Sequence, residues 1–275
     1  MDWQTPETFT YDGHKIAWGS MGEGPPLVLV HGTPFWSYVW HRIAPFLAQT
    51  RQVFYFDLLG YGNSDRPDTD VSLGVQNNIL SALLDHWGLT APDVIAHDFG
   101  GATALRAHLL DQRDYRSLTL IDPVALRPWG SPLVQHVKQH EGAFSGMPAY
   151  MHAAILPAYL QSAMATTATK DLLAPYENQW IGAEKQAAFY RQIAQMDQRY
   201  TDEVQNLYPD IRCPTQVLWG EDDQWIPIAR GRELHGMIPG AAFHPVPGSG
   251  HLMQEDAPEA VLHYAGQFLA QAEAG

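Results

Sequence analysis

Residues 94–110 read VIAHDFGGATALRAHLL, and two kinds of local pattern meet inside them. Val94, Ile95 and Ala96 end a β-type apolar segment, and from Gly101 onward the residues read as a helix. Between the two stand His97, Asp98, Phe99 and Gly100. A strand that turns sharply into a helix between small flanking residues lifts the middle side chain above the sheet, the nucleophile-elbow arrangement. Here that side chain is Asp98, where such elbows usually carry Ser. An exposed carboxylate attacks carbon electrophiles and leaves an ester on itself, so its identity narrows the chemistry more than the fold does. Asp is also a common N-cap before an amphipathic run, so the assignment depends on the rest of the chain.

Two segments before the elbow and two after it supply that context. PLVLV (26–30) leads into His31-Gly32-Thr33-Pro34, and QVFYF (52–56) leads into Asp57-Leu58-Leu59-Gly60-Tyr61-Gly62. TQVLWGEDDQWIP (215–227) and FHPVPGSGHLMQED (243–256) follow. The order is nucleophile, acid, His. In that order the chain resembles the α/β-hydrolases over nearly its whole length, in the branch whose nucleophile is Asp. Epoxide hydrolases, haloalkane dehalogenases and fluoroacetate dehalogenases make up that branch. The resemblance implies a mostly parallel twisted sheet flanked by helices, with an inserted helical cap.

Composition agrees with a globular protein. The 275 residues are 45% hydrophobic and 17% charged, and a chain of this size buries about three quarters of its unfolded surface. A formal net charge of −14, with only 16 Lys and Arg, argues against a nucleic-acid partner. The N-terminus has no basic segment followed by an apolar core, and no apolar run approaches the roughly 18 residues of a membrane span. A cytoplasmic protein without membrane contact is the expectation. The single Cys213 reads as a reduced, half-buried packing residue.

Short strands alternate with amphipathic segments up to residue 123, after an opening antiparallel pair. From 124 to 208 the pattern is helical, broken by Pro128, Pro132, Pro148, Pro157 and Pro175, and a strand resumes at Thr215. The expected organisation is a core of residues 1–123 and 209–275 with a helical cap at 124–208. Met147, Met151, Ile155, Leu156 and Met164 give that cap an apolar character suited to a small hydrophobic substrate.

The resemblance also assigns roles. Asp98 attacks, and His251 activates the water that hydrolyses the resulting ester, because an imidazole titrates near neutrality. Asp223 holds the imidazole tautomer, with Asp122, at the end of the preceding strand, as the alternative acid. Backbone N–H groups of Thr33 and Phe99 form the oxyanion hole. Phe99 stands where haloalkane dehalogenases carry a halide-holding Trp, and Phe99 with Ala102 departs from the arginines of fluoroacetate dehalogenases. Phe189-Tyr190-Arg191 matches the cap segment from which epoxide hydrolases donate a proton, and Tyr150 and Tyr159 compete as the second tyrosine. An epoxide hydrolase forming a diol is therefore the leading expectation. A haloalkane dehalogenase, with Trp36, Trp129 or Trp180 supplying the missing indole N–H, is the alternative. A non-catalytic binding protein or an esterase-related variant on the same scaffold stands further back. No metal and no cofactor are expected; His136, His140 and His152 lack the companions a metal site needs.

Overall fold

The computed structural model describes residues 3–274. Eight strands form one sheet: β1 (Glu7–Tyr11), β2 (His14–Met21), β3 (Pro26–Val30), β4 (Gln52–Phe56), β5 (Asp93–His97), β6 (Ser117–Ile121), β7 (Thr215–Gly220) and β8 (Ala242–Val246). Their spatial order is β1-β2-β4-β3-β5-β6-β7-β8. β1 and β2 are antiparallel to their neighbours, and every pair from β4 to β8 is parallel. Every residue of β5, β6 and β7 is buried. Helices cover both faces of a parallel sheet, so its central strands read as unbroken apolar runs instead of alternating.

At β3 the strand order reverses, with β4 on one side and β5 on the other. In open α/β sheets the crevice at such a switch point, outside the carboxyl ends of the strands, is where ligands bind. The loop His31-Gly32-Thr33 leaves the carboxyl end of β3 and Asp98 leaves that of β5, so both enter this crevice. At the opposite end, Asp93 accepts from Arg51 at 2.7 Å and Ser117 at 2.6 Å and pairs with Arg116, satisfying a fully buried carboxylate. Cys213 is partly buried before β7 and is not in a disulfide.

Between β6 and β7 the chain forms six α-helices, Pro132–Gln139, Glu141–Ser145, Ala149–Gln161, Lys170–Asn178, Ala183–Ala194 and Arg199–Gln205, followed by a short 3-10 turn at Tyr208–Asp210. This insert is tied to the sheet domain by backbone acceptors. Pro34 O accepts from Trp180 Nε1 at 2.7 Å and from Gln179 Nε2 at 2.9 Å, and Ala163 O accepts from Leu252 N at 2.8 Å. Asp256 accepts from Ala165 N at 2.8 Å, and the hydroxyl of Tyr176 donates to Glu255. No helix among the described residues is long and apolar enough to cross a membrane.

Candidate active site

Asp98 sits at φ 52°, ψ −118°, a backbone region that L-residues rarely adopt. Such a conformation costs about 1–3 kcal/mol and persists only where surrounding contacts over-determine it. Four hydrogen bonds do so: Asp98 N donates to Ile121 O at 3.2 Å, and Asp98 O accepts from Gly101 N at 2.9 Å, Ala102 N at 3.3 Å and Val124 N at 3.1 Å. Close packing does the rest. A Cβ on Gly100 would lie 2.2 Å from Val30 O, and one on Gly32 would lie 2.4 Å from Asp98 Oδ1. Only hydrogen fits at these two positions.

The two oxygens of Asp98 have different surroundings. Oδ1 accepts from Thr33 N at 2.7 Å, and Oδ2 faces His251 Nε2 at 3.2 Å. On the other side of the ring His251 Nδ1 meets Asp223 Oδ2 at 2.8 Å. The amides of Trp225 and Ile226 hold Asp223 Oδ1 at 2.7 and 2.9 Å. All three side chains are buried. Burial opposes a charge on His251, but the carboxylates of Asp223 and Asp98 outweigh it and raise the imidazole well above its ordinary 6.5. The surroundings therefore favour the protonated form of the ring.

Asp122 is adjacent but differently used. Its Oδ1 accepts from Gly220 N at 2.8 Å and its Oδ2 has no partner among the described residues. Burial, and next the charge of Asp223, push its carboxyl well above the usual range, which favours its neutral form. The structure thus sets Asp223, not the alternative Asp122, against His251.

A cavity with about 340 Å³ of empty space, part of it open to solvent, lies over Asp98. Thr33, Phe99, Trp129, Tyr159, Met196 and Trp225 are among its walls. Of the tyrosines singled out from sequence, Tyr159 lines this cavity, and its hydroxyl meets no protein partner among the described residues. Burial raises its pKa, and the charge of Asp98 raises it further, so it stays protonated. Tyr190 is a correction: it does not line the cavity, and its hydroxyl meets His152 Nδ1 at 3.0 Å. Tyr150 is a second correction, since it is 73% exposed on the outer face of its helix.

The indole donors are likewise spent elsewhere. Trp36 lines a different cleft and donates to Pro175 O at 3.2 Å, which removes it from the site. Trp129 lines the cavity with its ring against Phe99, but its N–H goes to Thr201 Oγ1 at 3.0 Å. The Trp180 N–H goes to Pro34 O. Trp225, which sequence reasoning missed, stacks on Tyr159 with ring centroids 4.7 Å apart and lies 5.0 Å from the His251 ring. Its N–H donates to Ser162 Oγ at 2.9 Å. Its one signal in sequence is its place two residues after Asp223.

Two further residues were not foreseen. His97 Nε2 donates to His251 O at 2.9 Å and fixes the histidine loop; burial pulls its own pKa down to about 4, so it remains neutral. Gln192 Oε1 accepts from both Thr33 Oγ1 and Tyr61 OH at 2.8 Å, so the Thr33 hydroxyl is engaged while its amide serves Asp98.

A sheet reversal carrying an elbow carboxylate, a paired imidazole and a second carboxylate is one arrangement among many folds. The chain matches the alpha/beta hydrolase fold model over residues 25–258. It belongs to that family. This α/β-hydrolase is similar to an alpha/beta hydrolase fold protein from Burkholderia ambifaria, at 54% identity and a TM-score of 0.94, covering 96% of this chain and 97% of that one. It is 25% identical to the cis-3-alkyl-4-alkyloxetan-2-one decarboxylase of Shewanella oneidensis, covering 95% of this chain and 87% of the relative. The haloalkane dehalogenase DbeA from Bradyrhizobium elkani shares the fold at a TM-score of 0.82 and 22% identity, covering 98% of both chains.

Proposed function

We propose that this α/β-hydrolase works through an alkyl ester on Asp98 and opens a hydrophobic epoxide to a diol, the helical insert acting as a cap over the site. Tyr159 carries this reading. It is a buried phenol on the cavity wall with no protein partner among the described residues, while the indole N–H groups of Trp36, Trp129, Trp180 and Trp225 are all committed elsewhere. An opening epoxide needs a proton at its ring oxygen, whereas a departing halide needs hydrogen-bond donors that remain free.

In the proposed mechanism Asp98 Oδ2 attacks the epoxide carbon, because Oδ1 is held by the Thr33 amide. The ring C–O bond breaks and its electron pair takes the Tyr159 proton, leaving an ester and a hydroxyl; the phenolate regains its proton from solvent. Alkylation removes the negative charge beside His251, whose ring then releases its Nε2 proton to solvent; the imidazole, now neutral, takes a proton from water as the oxygen attacks Asp98 Cγ. Oδ1 is then the developing oxyanion, already on the Thr33 N–H, with the Phe99 amide as its second donor. Collapse breaks the bond between Cγ and the alkyl-bearing oxygen, His251 gives its proton to the departing alkoxide to complete the diol, and the Asp98 carboxylic acid left behind passes its remaining proton to His251, restoring the carboxylate and the charged ring.

The test is a panel of terminal epoxides, matched 1-haloalkanes and cis-disubstituted oxetan-2-ones, assayed for diol, free halide and carbon dioxide. Oxetan-2-ones enter because the Shewanella relative is named for one and their strained ring also ends on oxygen. Diol formation that Tyr159→Phe slows by roughly 10²- to 10⁴-fold, with Tyr190→Phe within about threefold of wild type, is the expected result. Halide release without diol, insensitive to Tyr159→Phe, would replace the epoxide reading with the dehalogenase one. If no substrate leaves an adduct on Asp98, the binding-protein and esterase-variant readings take precedence.

A further inference from the structure

A second cavity, sharing no lining residue with the first, lies between the sheet domain and the insert and has about 580 Å³ of empty space, part of it open to solvent. Its sheet-domain wall includes Trp36, Asn63 and Arg66, and its insert wall includes Pro175, Asn178 and Lys185. No carboxylate lines it among the described residues, which is notable in a chain with a net charge of −14. Neither Arg66 nor Lys185 has a carboxylate within salt-bridge distance among the described residues. The Arg66 guanidinium lies 5.6 Å from the Trp180 ring centre, its Nη2 donates to Gly62 O, and its Nε has no acceptor. Lys185 Nζ donates to Asn178 O at 3.1 Å, which holds the ammonium at the cavity wall.

We propose that this cavity is a binding site for a small aromatic carboxylate, recognised by Arg66 and Lys185 with its flat body beside the Trp36 indole and Pro175. Guanidinium and ammonium donors with free hydrogen-bonding capacity select anions. Tyr38 stacks on the Trp36 indole, 5.6 Å between centroids, and the indole also borders the cavity, so it offers a flat apolar surface. The anion carries one charge, not two. Asp57 is close enough to offset part of the Arg66 charge, although its own oxygens are taken by the amides of Ser37 and Asn63 at 2.9 and 2.8 Å. Arg66 and Lys185 also border the adjoining cleft, which Asp65, Asp68 and Glu184 line together with Arg191, and Arg191 pairs with Asp68 at 2.8 Å, so a dianion meets further negative charge there. A ligand that touches both walls binds the assembled protein alone and stabilises it by mass action.

The experiment is calorimetric titration of the full chain with benzoate, with benzamide as the neutral counterpart and inorganic phosphate as the multivalent anion. Asp98→Asn is titrated in parallel, because binding in the catalytic cavity has no reason to be indifferent to that change. We expect saturable benzoate binding that survives Asp98→Asn, exceeds that of benzamide and phosphate, raises the melting temperature, and weakens at least tenfold in Arg66→Gln and in Lys185→Gln. Should Arg66→Gln fail to fold after losing its bond to Gly62 O, Lys185→Gln decides alone. Benzoate binding no better than benzamide, tighter binding of phosphate, or affinity unchanged by Lys185→Gln overturns the site.

Discussion

Replacing Gly32 by Ala tests whether the position of the Asp98 carboxylate, and not its mere presence, sets the rate. The new Cβ would stand 2.4 Å from Asp98 Oδ1, against the 3.4 Å at which ordinary contact begins, so the carboxylate must retreat by about 1 Å. The 2.7 Å bond from Thr33 N and the 3.2 Å approach of His251 Nε2 do not both survive such a move. A misplacement of roughly 1 Å costs about 10²-fold in rate, and overpacking costs about 1–3 kcal/mol of stability. For a chain of this size the second figure is a fall of roughly 2–12 °C in melting temperature. The assay is single-turnover formation of the Asp98 adduct, followed by intact mass with a reactive terminal epoxide, beside thermal unfolding. Gly142→Ala is the control, because nothing lies within 4 Å of a Cβ there. A Gly32→Ala protein that alkylates within about threefold of wild type would refute the claim that this geometry limits catalysis.

Asp98→Asn should lose turnover by at least roughly a thousandfold, and His251→Gln should form the ester but accumulate it; mass spectrometry of the Asp98 peptide reads both. Asp223→Asn should slow ester hydrolysis more than ester formation in pre-steady-state kinetics. Asp122→Asn, replacing a carboxyl whose neutral form is favoured by burial, should stay within about threefold of wild type in both steps. The His251 charge is favoured by the fold, so its stabilisation is complete below the unfolded value of 6.5 and disappears as pH rises through the higher folded value. The stability difference between wild type and His251→Gln, measured by denaturant unfolding, should therefore shrink steadily as pH rises above 6.5.

The sheet and the elbow were legible because burial on both faces writes β5 to β7 as apolar runs, and because the tight turn at Asp98 needs glycine at positions 32 and 100. The pairing of His251 with Asp223 followed from loop motifs whose partners are fixed by strand ends. The helical insert was harder, because which face of a helix looks inward is decided by packing. Tyr150 and Tyr159 share the helix Ala149–Gln161, and nine residues at about 100° each put them on opposite faces. Phe189-Tyr190-Arg191 fits a sequence pattern, yet His152, distant in sequence, draws the Tyr190 hydroxyl away from the cavity. The fate of each indole N–H depends on backbone acceptors such as Pro34 O and Pro175 O, which no periodicity announces.

The histidine loop is braced by the insert as much as by the sheet. Leu252 N is bound to Ala163 O, Asp256 takes the amides of Ala165 and Thr166 together with Gly250 N, and Tyr176 donates to Glu255. A Cβ on Gly250 would meet Ala163 O and Ala165 N at 2.8 Å, so the two backbones touch directly beside His251. The segment is thus not a detachable module whose exchange would alter selectivity alone. A graft from a relative inherits the duty of positioning the His251 ring, and chimeras whose junction omits residues 163–166 or Tyr176 should lose turnover before they change their choice of substrate.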